Sequence, residues 1–177
     1  MAKHDDDQYV EFATHALREL RRTAYLLCGD WHRAEDAAQE VLIRLYRRWP
    51  RVDRREGLRP YARRALVRIL IDQGRRPWRR EVSVETPPET ATPEAVRAVD
   101  DRMVLIAALN RLPARRRACL VLRYFDELSV RETANAMGCS EGTVKSQTAS
   151  GLDDLRRVLD DMDAEPVTLS IEEGWAS

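Results

Sequence analysis

A chain of 177 residues has room for one large domain or two small ones, and its 30 basic and 30 acidic residues cancel to a net charge of zero, so net charge alone decides nothing about nucleic acid. No secretory signal or apolar run of membrane length is present, which argues against export and membrane insertion and leaves a cytoplasmic location as the expectation. Cys28, Cys119 and Cys139 are odd in number and far apart, which speaks against a disulfide framework, and the half metal pattern Cys28 with His32 has no second pair, so buried thiols are the better reading.

Charge is unevenly distributed. Residues 44–80 carry a local excess of +11, residues 81–101 carry −5, residues 102–159 carry +4 and residues 160–177 carry −6. Two basic blocks, each followed by an acidic one, point to two anion-binding surfaces. Glycine is scarce, strand-like alternation is absent, and Arg, Ala and Leu dominate. The expected class is all-α: two small helical domains joined by a flexible linker, the second ending in a helix-turn-helix.

Taken in order, Met1 to Asp7 is polar and expected to fray. From Tyr9 to Cys28, Phe12, Ala16, Leu20, Thr23 and Leu27 recur at helical spacing, and Gly29 ends that helix. Asp30 caps a second helix running to about Trp49, with the stripe Ala34, Ala38, Val41, Leu42, Leu45 and Trp49 inward. Its outer side carries Asp36, Gln39, Glu40, Arg44 and Arg47, which reads either as a solvated ladder or as a docking face for a partner helix. After a charged loop, Pro50 to Gly57, a third helix opens at Leu58. Tyr61, Ala62, Ala65, Leu66, Ile69 and Leu70 supply its buried side. Arg63, Arg64, Arg68, Arg75, Arg76, Arg79 and Arg80, with Trp78 among them, form a flank suited to a phosphate backbone and unstacked bases.

Glu81 to Pro93 is rich in Pro, Thr and Glu and reads as linker. Val104, Ala107, Ala108 and Leu112 mark the next helix, broken at Pro113. Ala118 to Phe125 marks another, with Leu120, Val121 and Tyr124 inward. The most informative stretch follows, from Ser129 to Leu159. Ser129 and Glu132 have capping-box spacing, Gly138 sits where the chain must turn, and Ser140 caps a last helix. In that helix Val144, Thr148, Leu152, Leu155 and Leu159 face the core, while Thr143, Lys145, Ser146, Gln147 and Ser150 stand available to phosphates or base edges. A plain helical hairpin with a solvated face is the competing reading. No nucleophile triad, carboxylate pair, metal spacing or Gly-rich phosphate loop is evident, so no catalytic residue, metal or cofactor is expected.

Two helical domains ending in this motif resemble a bacterial RNA polymerase sigma factor of the extracytoplasmic-function type, over roughly residues 8–159. ALNRLPARRRACLVLRYFDELSVRETANAMGCSEGTVKS resembles region 4 of that family. DWHRAEDAAQEVLIRLYRRW resembles region 2.2, and YARRALVRILIDQGRR resembles regions 2.3 and 2.4. The resemblance implies a region 2 domain at 8–80, a linker at 81–95, a region 4 domain at 96–159 and an acidic tail at 160–177. It implies core RNA polymerase as partner, met at the clamp helices through Asp36, Gln39, Glu40 and Arg44, and at the flap. It implies promoter DNA as the second partner. Arg63, Arg64, Arg68, Arg75 and Arg76 would lie on the helix that reads and melts the −10 element, beside a base-capturing loop at Pro50 to Gly57. Thr143, Lys145, Ser146, Gln147 and Ser150 would lie on the helix that reads the −35 element. An anti-sigma factor is a further partner that the resemblance leaves room for.

Two departures are visible. Arg68 stands where the family often has Asn, which favours a phosphate contact over base capture. Gln147 and Ser150 replace frequent basic residues, and Asp153 and Asp154 are expected to weaken the field of the last helix. A stand-alone helix-turn-helix regulator of duplex DNA is the alternative, but it leaves the Arg-rich first half without a role.

Overall fold

The computed structural model describes residues 3–49, 57–73 and 93–162. Within them the chain forms α1 (Lys3–Cys28), α2 (Trp31–Arg48), α3 (Leu58–Gln73), α4 (Pro93–Arg111), α5 (Ala114–Leu120) continuing into a π-helical turn (Val121–Phe125), α6 (Val130–Met137) and α7 (Glu141–Asp161). The charged loop at Pro50 to Glu56, the arginines beyond α3, most of the linker and the tail beyond Met162 lie outside the described residues.

The first domain is an α1–α2 hairpin with α3 packed across both helices. Gly29 makes the reversal: its φ of +71° is open to glycine at little cost, and its N–H donates to the Tyr25 carbonyl at 2.7 Å. Asp30 then caps α2 by accepting from the Arg33 N–H at 2.8 Å. The expected stripe of α2 is buried throughout, from Ala34 to Trp49. Tyr25 stacks on Trp31 with centroids 4.0 Å apart and planes 5° from parallel, and the Arg21 guanidinium lies over the Trp31 ring. At the other end of the hairpin Trp49 sits between Tyr9, edge-on at 5.2 Å, and Phe12 at 5.9 Å.

Several expectations need correcting. α1 begins at Lys3, so Lys3 to Asp7, within the stretch expected to fray, is helical; Asp6 and Asp7 near its N-terminus suit the positive end of the helix dipole. α4 begins at Pro93, inside the stretch read as linker, with Pro in the first turn where its missing N–H costs nothing. The buried face of α4 is Leu105, Ile106, Ala108, Leu109 and Leu112, whereas Val104 and Ala107 sit at its half-buried edge. Tyr124 is exposed rather than inward, and Leu122 is buried in its place. The π turn explains the exchange: the Asp126 N–H reaches back five residues to the Val121 carbonyl at 3.0 Å, so the helix is locally underwound and its phase slips.

In the second domain α5 and α7 pack closely. A side chain at Gly151 would meet Leu120 at 3.2 Å and the Arg116 carbonyl at 3.4 Å, so glycine permits this approach. The two domains are not separate bodies. One contiguous buried cluster runs from α1, α2 and α3 into α4, α5, α6 and α7; α3 packs on α6, and α1 on α4 and the π turn.

Candidate nucleic-acid interface

The Ser129–Met162 segment carries both expected caps. The Ser129 hydroxyl accepts from the Glu132 N–H at 3.2 Å, while the Glu132 carboxylate accepts from the Ser129 hydroxyl at 2.6 Å and the Ser129 N–H at 2.9 Å; the hydroxyl first and the N–H second hold the Glu132 carboxyl below the usual carboxylate range. Gly138 ends α6 at φ +62°, and the Cys139 N–H donates to the Ala134 carbonyl at 3.1 Å. Ser140 caps α7, accepting from the Thr143 N–H at 3.1 Å. Val144 is wholly buried, so the register of α7 is set at its first turn.

That register exposes Lys145 and Ser146 and leaves Thr143, Gln147 and Ser150 half-buried. The Thr143 hydroxyl bonds Ser140 at 2.9 Å, and the Ser146 hydroxyl donates back to the Thr143 carbonyl at 3.0 Å. The acidic pair further along is occupied. Asp154 bridges Arg116 of α5 and Arg157, and Asp153 pairs with Arg156 at 3.1 Å. Its two guanidinium partners offset the field that Asp154 would otherwise add to the outer face of α7, and it clamps α7 to α5.

On α3 the five expected arginines separate. Arg68 is exposed, and Arg75 and Arg76 lie outside the described residues. Arg63 and Arg64 turn toward the second domain: the Arg63 Nε donates to the Asp126 carboxylate at 3.0 Å, and the Arg64 Nε donates to the Asn135 carbonyl at 3.0 Å. Thr23 of α1 donates to the other Asp126 oxygen at 2.8 Å. Burial pushes the Asp126 carboxyl above its ordinary range, against the pull of Arg63 and Thr23. Sequence reading placed Thr23 on the buried stripe and gave Asp126 no role. An acid in a turn has no local signature for a partner 63 residues away.

On α2, Asp36, Gln39 and Arg44 are exposed and Glu40 pairs with Arg44. Beside them Ile43 and Tyr46 are 52% and 43% exposed, and Val10 of α1 is 59% exposed. Ile43 and Tyr46 lie off the buried stripe of α2, so its charged side also exposes apolar area. Among the described residues no group of three or more His, Cys, Asp or Glu converges as a metal site, and no helix is long and apolar enough to cross a membrane.

Residues 12–80 match the family model for sigma-70 region 2, and residues 102–155 match that for sigma-70 region 4. The chain is 31% identical over 173 residues to the RNA polymerase sigma-E factor of Streptomyces avermitilis, covering 98% of this chain and 97% of that one. It is 34% identical over 149 residues to the ECF RNA polymerase sigma factor SigL of Mycobacterium tuberculosis, covering 81% and 84%. In fold it is similar to the sigma factor RpoE of Bartonella quintana, solved in complex with the anti-sigma factor NepR, with a TM-score of 0.70 at 20% identity over 86% of this chain and 97% of that one.

Proposed function

We propose a division of labour that proceeds from one premise: the chain belongs to the sigma-70 family, as an RNA polymerase sigma factor of the extracytoplasmic-function type. It binds core RNA polymerase and directs promoter-specific transcription initiation. Such a factor works by binding and leaves nucleotide addition to the polymerase, so no catalytic residue or cofactor is assigned. The cytoplasm, where a bacterial polymerase meets the chromosome, is the assigned location. The domains we assign are region 2 at 8–80, linker at 81–95, region 4 at 96–159 and acidic tail at 160–177, in keeping with the family matches.

The first domain meets polymerase through the α2 face of Asp36, Gln39, Glu40 and Arg44, joined by Ile43 and Tyr46. Its α3 flank, Arg63, Arg64 and Arg68 with Arg75 and Arg76 beyond, serves the −10 element. Opening a duplex costs on the order of 1–2 kcal/mol per step, more than a small basic helix offsets over many steps. The domain instead traps a few unstacked bases while polymerase holds the DNA. Region 4 reads the −35 major groove through Thr143, Lys145, Ser146, Gln147 and Ser150. Phosphate contacts set register, and a few base contacts specify sequence. An anti-sigma factor belongs with the same reading, as the class of partner seen with the Bartonella protein of similar fold.

The observation that carries the DNA assignment is the register of α7: Val144 is sealed in the core, and Lys145 beside it stands in solvent. Reconstituted transcription with core polymerase over a promoter library tests the function, and output no higher than core alone on every template would defeat it. Lys145→Ala is expected to leave the melting temperature unchanged. It should weaken holoenzyme binding upstream by about 1–2 kcal/mol and lower the salt slope by about 1. An unchanged slope would make Lys145 a solvated bystander.

A further inference from the structure

Cys119 and Cys139 stand far apart in the sequence, yet the fold gathers their sulfurs with a third in the second domain. Cys119 lies on α5, wholly out of solvent, and its thiol donates to the Met137 Sδ at 3.3 Å. Met137 is the last residue of α6. Two residues on, the Cys139 N–H donates to the Ala134 carbonyl at 3.1 Å, which keeps Cys139 against the end of α6. Its half-buried side chain packs on the cluster that contains Cys119 and Met137. The two thiols also act on each other: burial above all, then Cys139, pushes the Cys119 thiol up to about 11, and Arg115 opposes them.

Two thiols and a thioether are soft donors. Mg2+ and Ca2+ demand oxygen, and structural Zn2+ closes a shell of four ligands drawn from Cys, His and carboxylates. Three sulfurs, one of them a neutral thioether, suit Cu(I), which thiolate and thioether ligands select. We propose that Cys119, Met137 and Cys139 form a binding site for one cuprous ion, at the seam between α5 and the turn of the helix-turn-helix.

The half-buried Cys139 is the way in, and Cys119 and Met137 close on the ion from inside. Each thiol releases its proton to solvent as its sulfur–copper bond forms, and no electron is transferred. The charge of the ion, with Arg115 nearby, offsets the two thiolates. Because Cys119 holds its proton tightly, affinity rises with pH through the neutral range. A bound ion ties α5 to the turn at 138–140, where Ser140 caps α7, and so stiffens the seat of the helix that bears Lys145.

The test uses the reduced full chain without oxygen, titrated with Cu(I) against bicinchoninate as a competing chelator. One ion should bind per chain. Cys139→Ser should weaken binding by more than about 100-fold, beyond the ~10–100-fold that loss of a supporting group costs, and Met137→Leu by about ten-fold. Cys119→Ala should match Cys139→Ser; if it fails to fold by circular dichroism, Cys139→Ser carries the test. Cys28, whose thiol donates to the Asp30 carbonyl at the end of α1, is the control, and Cys28→Ser should change nothing. X-ray absorption should show sulfur alone around the copper, and hydrogen exchange at 138–140 should slow once the ion is bound. A wild type that holds Cu(I) no better than Cys139→Ser overturns the proposal, as does binding that is lost with Cys28→Ser. Recovery of Cys119 and Cys139 joined to each other with no ion bound makes the pair a redox couple and overturns it too.

Discussion

Val144→Asp should unfold the helix-turn-helix. Val144 is completely buried at the first turn of α7, where its methyls help to hold the helix in register against its neighbours. Among the described residues no cation is buried in the core to meet a carboxylate there, and the effective cost of burying an unpaired ion is several kcal/mol. That is a large share of the ~5–15 kcal/mol that holds a typical domain together. Thermal melts by circular dichroism should show early loss of helix, with hydrogen exchange in α6 and α7 losing its protection. Upstream promoter binding should vanish. The contrast with Lys145→Ala makes the result informative: adjacent residues on one helix, one removing the fold and the other removing only a contact. A stable, well-packed Val144→Asp protein would mean that α7 sits in a different register, and the assignment of its outer face would fall with it.

Trp49→Ala should cost about 3–5 kcal/mol, the range for truncating a buried aromatic. The indole is 2% exposed and fills the open end of the α1–α2 hairpin against Tyr9 and Phe12. Tyr9 is tied to the same place by its hydroxyl, which donates to the Leu42 carbonyl at 3.0 Å, and by its ring against Tyr46. Emptying the site removes the wedge that holds the start of α1 on the end of α2. The α2 face proposed to meet polymerase depends on that brace, since Ile43, Arg44 and Tyr46 lie within two turns of it. Chemical denaturation should show the loss in stability, and core-polymerase affinity should fall in step at temperatures near the lowered melting point. A variant melting within about 1 kcal/mol of wild type would show that neighbouring rings collapse into the space.

Much of this protein was legible in the sequence because its signals are local. The stripe of α2, the caps at Asp30, Ser129 and Ser140 and the turns at Gly29 and Gly138 each follow from residues within one or two helical turns. Those short-range rules were also enough to orient α7 and so to separate Lys145 from Val144. Errors arose where the backbone departed from ideal geometry. A π turn shifted the phase after Leu120 and turned Tyr124 outward, and no side-chain pattern announces a single extra residue in a turn. The arginine flank of α3 was visible as composition, but which arginines stand open was not. Arg63 is engaged by Asp126 at the end of the π turn and Arg64 by α6. Sequence by itself determined the helices, their caps and the two basic blocks, because propensity and periodicity act between near neighbours. Only the tertiary structure decided that Asp126 meets Thr23 and Arg63 and that one core runs through both domains. Those contacts join residues 63 and 103 positions apart, where charge attraction and hydrogen bonding act against the cost of desolvation and no local pattern encodes the partners.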